Sequence, residues 1–266
     1  MNTRTKSFAF GIAVGFLNVF FGTAFADAIA DSWYREANAL NDAGQYQAAI
    51  DRYNSAIRQT ADFPAAYNNR GIAYQRLGNL DAALQSYDQA IRQNSEFAAA
   101  YTNRGTAYLQ MGQTERALAD HDRALRMSPG YAAAHFNRAN AFRSMGRYRE
   151  AASDYTKSIT LNPAFTDAYT NRGLTYAEQD LHRLAIEDYD AAIQRGRGDT
   201  PETYYNRALS LNATGQPQLA LADLDRAIQM DTRYTKAYCM RAKLLDSNGR
   251  RDDAQRDFAR CNGGAI

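Results

Sequence analysis

The chain has 266 residues, room for one large domain or two ordinary ones, and carries 31 Lys and Arg against 29 Asp and Glu. Arg4 and Lys6 account for the formal excess of +2, and the neutral remainder has no bulk charge to hold a phosphate backbone, which disfavours nucleic acid as the main partner. Three His and two Cys exclude a rich metal cage, and a mean hydropathy of −0.58 excludes a chain built of membrane spans. In chain order, residues 1–30 come first: MNTRTKSFAFGIAVGFLNVFFGTAFADAIA. Basic Arg4 and Lys6 precede an apolar stretch, Phe8–Phe21, interrupted by Asn18. Ala24-Phe25-Ala26 then supplies the small-x-small pattern that signal peptidase requires, and Ala28-Ile29-Ala30 is a second candidate. Residues 1–26 are expected to be a cleaved signal peptide. The alternative is an uncleaved anchor, since Phe8–Ala26 is nearly long enough to span a bilayer, and only then is a membrane involved. With no Cys at the site and no adjacent Arg pair in this segment, the general secretory route is expected. The protein is expected in a periplasm or secreted, with a bacterial envelope as the setting.

The body, 27–266, is one unit written seven times. NNRGIAYQRLGNLDAALQSYDQAI, TNRGTAYLQMGQTERALADHDRAL, FNRANAFRSMGRYREAASDYTKSI and TNRGLTYAEQDLHRLAIEDYDAAI start at Asn68, Thr102, Phe136 and Thr170, a period of 34. Further copies run from Trp33 to Ile57, Tyr205 to Ile228 and Cys239 to Cys261, giving repeats 30–63, 64–97, 98–131, 132–165, 166–199, 201–234 and 235–261. Within a copy, Tyr67, Gly71 and Tyr74, then Ala83, Tyr87 and Ala90, follow helical spacing, and Gly78 between them allows the chain to leave the first helix. Each copy therefore reads as two antiparallel helices of about 12–14 residues. Small residues (Gly71, Gly105 and Gly173 on the first helix, Ala83, Ala117 and Ala185 on the second) leave room for the partner backbone, and aromatics fill the space between.

An aromatic, a small residue four later, a Tyr three after that, then Ala…Tyr…Ala…Pro within 34 residues resembles the tetratricopeptide repeat (TPR) over residues 30–261. The resemblance implies an all-α fold, a right-handed α–α superhelix (TPR solenoid) after the signal peptide, with its first helices lining a concave surface.

Charge placement supports the register. Arg104, Arg138, Arg172, Arg207 and Arg241 precede the small residue of the first helix, and Asp120, Asp154, Asp188, Asp223 and Asp257 precede the aromatic slot of the second. In copy one the signs are reversed, Glu36 and Arg52, so the pairing is expected within each repeat; pairing to the next repeat would set Arg52 against Arg70. Copy two has Ser86 in the acid position, leaving Arg70 weaker or with another partner. At the end of the array, Gln255 and Asn262 replace apolar residues, making the last helix its own polar cap.

No Ser/His/Asp order, Gly-rich phosphate loop or metal spacing appears, so no catalysis, cofactor or metal is expected. His121 and His135 stand in aromatic packing slots, and His182 replaces Tyr46 and Tyr148. Cys239 and Cys261 lie at neighbouring ends of antiparallel helices, so two readings stay open: a disulfide in an oxidising compartment, or two buried thiols.

By the resemblance, the concave groove is lined by first-helix residues two and one before the Arg slot and two and five after it. Asn69, Asn103, Asn137, Asn171 and Asn206 then form a ladder of amides able to hold an extended backbone, or alternatively to bridge neighbouring repeats. Tyr34, Phe136 and Tyr205 stand beside that ladder, offered to a ligand or covering neighbouring side chains. The lysine of the two-carboxylate clamp found in chaperone-binding members is absent from its slot, which holds Tyr34, Asn68, Thr102, Phe136, Thr170, Tyr205 and Cys239. Arg195–Thr200, one residue longer and with two glycines, is the expected hinge between copies five and six, with Thr200 and Pro201 restarting a helix. The functional expectation is a non-catalytic scaffold binding a protein or peptide segment in the groove. The alternatives are a structural subunit self-associating through its ends or convex face and, more remotely, an adaptor recruiting cell-wall hydrolases.

Overall fold

The computed structural model describes residues 26–196 and 198–261. The expected signal segment up to residue 25, Arg197 of the expected hinge and Asn262 of the polar cap lie outside the described residues. The chain divides into two compact units at Ser128/Pro129. The first holds helices α1 (26–42), α2 (Tyr46–Gln59), α3 (Pro64–Arg76), α4 (Leu80–Gln93), α5 (Ala98–Gln110) and α6 (Thr114–Met127). The second holds α7 (Ala132–Ser144), α8 (Tyr148–Leu161), α9 (Thr166–Ala177), α10 (His182–Gln194), α11 (Pro201–Ala213), α12 (Pro217–Met230), α13 (Thr235–Ser247) and α14 (Arg251–Cys261). Among the described residues there are no strands, and none of the helices is long and apolar enough to cross a membrane.

The sequence explains where the helices break. Gly78 adopts φ +79° at the end of α3, a left-handed conformation that closes the hairpin, and in the fifth copy Asp180 takes the same conformation at φ 60°. Thr200 caps α11 by accepting the Thr203 N–H at 3.2 Å, and Pro201 opens that helix.

The core is an alternation of alanines and rings. Ala49, Ala83, Ala117, Ala151, Ala185 and Ala220 are fully buried, as are Tyr53, Tyr87, Tyr155 and Tyr189. The first-helix glycines make room for those rings as much as for backbone: a Cβ on Gly71 would lie 2.5 Å from Tyr87 Cε1, and one on Gly173 would lie 2.9 Å from Tyr189 Cε1. Successive hairpins share this core. Ala66 and Ala73 of the second copy pack into the cluster of Ala37, Ile50 and Tyr53, and Ala237 and Tyr238 of the seventh pack with Leu224 and Ile228.

The break between compact units does not fall at the expected hinge. Gly198 is pressed so close to Ala192 that a Cβ there would lie 2.6 Å away. Arg195 donates to the Pro163 and Ala191 carbonyls, and Ile186 packs against the cluster of copies six and seven.

Candidate functional site

In the first unit the ladder is closed upon itself. Asn69 Nδ2 donates to Tyr34 Oη (2.9 Å) and to Asn38 Oδ1 (3.0 Å), while its own Oδ1 accepts from Asn68 Nδ2 (3.0 Å). Asn68 Oδ1 in turn accepts from Asn103 Nδ2 at 2.9 Å, so one amide chain links α1, α3 and α5. Asn38 also accepts from the Tyr53 hydroxyl at 2.7 Å. Burial pushes that phenol well above the ordinary tyrosine value, keeping it a donor. Tyr34 lies 4.9 Å from Phe63 and 6.0 Å from Tyr53, ring centre to ring centre. Asn69, with both amide hydrogens and its oxygen engaged, has little left for a ligand.

In the second unit the same slots are used differently. Asn140 Oδ1 accepts from the Tyr155 hydroxyl and from Asn171 Nδ2 at 3.0 Å. Burial raises the Tyr155 pKa to about 12. Asn137 and Asn206, both half-buried, make no hydrogen bond among the described residues. Phe136 packs 4.6 Å from Phe165 and 5.8 Å from Tyr155, and Tyr205 meets Tyr234 edge-on at 5.6 Å. Each of the three slot aromatics thus covers a neighbouring ring, the second of the two readings open for Tyr34, Phe136 and Tyr205. Arg143 of α7 reaches Glu178, the residue that caps the end of α9, at 3.2 Å, joining two first-helix segments across this face.

The charged slots form forks. Arg104 holds both oxygens of Asp120 (2.8 and 2.7 Å), and Arg207 holds both of Asp223 (2.8 and 2.7 Å). Arg138–Asp154, Arg172–Asp188 and Arg241–Asp257 repeat the geometry, while Arg52 meets Glu36 at 2.9 Å in a more exposed pair. Hydrogen bonds to Asp223 outweigh burial and hold the Arg207 guanidinium protonated well above its ordinary value. Pairing is not confined to one repeat. Nη1 of Arg104, Arg207 and Arg241 bonds Asp88, Asp190 and Asp225 of the preceding copy, each at 2.6 Å. These acids directly follow the aromatic slot, a recurrence visible in the sequence as Tyr87-Asp88, Tyr189-Asp190 and Leu224-Asp225. The forks therefore tie three helices, consistent with a structural role.

Family models described as TPR repeat and tetratricopeptide repeat match residues 37–78, 64–97, 98–131, 132–165 and 170–235. The chain belongs to the tetratricopeptide repeat family. Solved TPR structures share the fold at low identity. A TPR protein from Parabacteroides merdae is 21% identical over 90% of this chain and 94% of its own, with a TM-score of 0.64. PilW, a type IV pilus biogenesis factor, is 19% identical over 79% of this chain and 96% of its own, TM-score 0.71. YrrB, described as a TPR protein with an unusual peptide-binding site, is 20% identical over 70% and 95%, TM-score 0.55. No curated protein matches the sequence significantly.

Two departures from the plain TPR pattern remain. A disulfide joins Cys239 to Cys261, tying the first turns of α13 to the end of α14. His135, in a packing slot, also sets Nδ1 3.0 Å from Asp154 Oδ1 and Nε2 3.0 Å from the Pro129 carbonyl, whichever nitrogen carries the proton donating to its neighbour. Nothing in the 34-residue pattern signals that second role, because it depends on the loop at Pro129 folding back over the ring.

Proposed function

We propose that this TPR protein is an exported, non-catalytic scaffold that binds an extended protein segment along the first helices α7, α9 and α11. The observation that carries the reading is the unequal engagement of the amides. Asn69 is saturated by its own neighbours, whereas Asn137 and Asn206 stand half-buried with no hydrogen bond among the described residues. An open amide offers a donor and an acceptor, which matches a peptide backbone regardless of its side chains. Asn171 keeps part of its capacity beside them, and Phe136 and Tyr205 border the row. That YrrB is described as having a peptide-binding site is compatible with the fold accepting such a ligand. Export is supported by the leader-like residues 1–26 and by the Cys239–Cys261 disulfide, which persists in oxidising compartments.

Affinity capture from a cell-envelope fraction tests the proposal, with residues 27–266 as bait beside the Asn137→Ala/Asn206→Ala double variant. Wild type should retain a partner that the variant loses, with the helical circular-dichroism signal unchanged. Equal retention by both baits would move the site elsewhere.

A further inference from the structure

Of the six arginines in the slot before the small residue, five set Nε and Nη2 against the two oxygens of one carboxylate. Arg70 does not. Its Nε donates to Ser86 Oγ at 3.2 Å and its Nη1 to Asn54 Oδ1 at 2.7 Å. Among the described residues it has no carboxylate partner, and no partner for Nη2. The Ser86 hydroxyl is itself turned to the Ala82 carbonyl at 2.9 Å, so the one oxygen at this position is already committed as a donor.

Relative to Arg172, which pairs Asp188 and Thr156, this notch lacks one carboxylate, and relative to Arg104, Arg207 and Arg241 it lacks two, with Ser86 in the fork and Asn54 beside it. Exchanging Asp for Ser removes two acceptor oxygens and keeps the guanidinium that faced them. The Tyr67 ring lies 5.0 Å from the guanidinium carbon and offers only its π face. Burial draws the Arg70 pKa below the ordinary arginine value, the opposite of the direction at Arg104 and Arg207, where carboxylates are in place. Ser86 itself is only 1% exposed, but Arg70 and Asn54 are half-buried and Arg70 Nη2 is not a buried atom, so an anion reaches the fork from its arginine edge. A planar anion with two oxygens matches the open edge of the fork.

We propose that the notch formed by Arg70, Ser86 and Asn54 between α2, α3 and α4 is a carboxylate-binding site, taking a formate-sized group in the place where the other repeats carry an aspartate. The group comes either from a free small carboxylate or from an Asp or Glu side chain of a partner seated over α2 and α4. The site shares no residue with the amide row of α7, α9 and α11, so the two assignments stand or fall separately.

The test follows the arginine side-chain N–H signals of isotope-labelled protein by NMR at constant ionic strength. Formate should move the Arg70 signal saturably and leave those of Arg104 and Arg207 in place. Ser86→Asp supplies the missing group internally and should weaken formate binding about tenfold or more. Ser86→Ala leaves the notch without a carboxylate and should still respond. A short peptide with a single Glu, compared with its Gln counterpart, separates the sources. A response to the Glu peptide at lower concentration than formate assigns a partner side chain, and a response to formate alone assigns a free carboxylate. An Arg70 signal inert to both, or a Ser86→Asp variant that responds like wild type, overturns the proposal.

Discussion

The two compact units are written in the same 34-residue pattern yet employ several of the same polar slots differently. In residues 26–128 the amides of α1, α3 and α5 bond one another, while the fork-slot arginine Arg70 has no carboxylate partner among the described residues and the Glu36–Arg52 pair is exposed on both sides at 47% and 46%. In residues 129–261 every fork is completed by an Asp, the last hairpin is tied by a disulfide, and Asn137 and Asn206 remain open. Identical slots thus hold a repeat together or stay available, depending on which neighbours reach them.

The largest effect expected from this contrast lies in the charged slots. Asp223→Ala strips the carboxylate from a mostly buried guanidinium and should cost roughly 3 kcal/mol, at the low end for a broken buried pair because Arg207 keeps Asp190. Glu36→Ala breaks an exposed pair and should cost about 0–1 kcal/mol. Urea denaturation of both variants checks the ranking, and equal midpoints would break the contrast.

A smaller effect separates the amides. Asn69→Ala leaves Asn38, Asn68 and Tyr34 each short of a bond and should destabilise by about 1–2 kcal/mol. Asn206→Ala removes no bond and should stay within about 0.5 kcal/mol of wild type. Thermal melts of the pair sharpen the distinction; matching losses would mean that Asn206 is as structural as Asn69.

Much of this was legible in the sequence, for a physical reason. A strict period fixes every slot relative to its own hairpin, so helix pairs, caps, buried alanines and the same-repeat Arg–Asp spacing follow from one copy. What crosses between copies was harder to read. Charge reversal at Glu36 and Arg52 argued against inter-repeat pairing, yet Arg70 passes Arg52 and reaches Asn54, two residues further on. Whether an amide is open also depends on its neighbours in space. Asn69 is consumed because Asn38 and Tyr34 lie within reach on α1. Likewise, the slot that holds Asn38 in copy one and Asn140 in copy four holds Leu174 in copy five, and there the buried Tyr189 hydroxyl finds no partner among the described residues. The glycines at 196 and 198 suggested a joint between copies five and six, whereas the compact units divide at Ser128/Pro129.

Hydrogen exchange of the protein with and without a captured partner tests the central claim most directly. Added protection confined to peptides spanning α7, α9 and α11, with α1, α3 and α5 unchanged, is the predicted result. Protection centred on α1, α3 and α5, where the amides already bond one another, would contradict it.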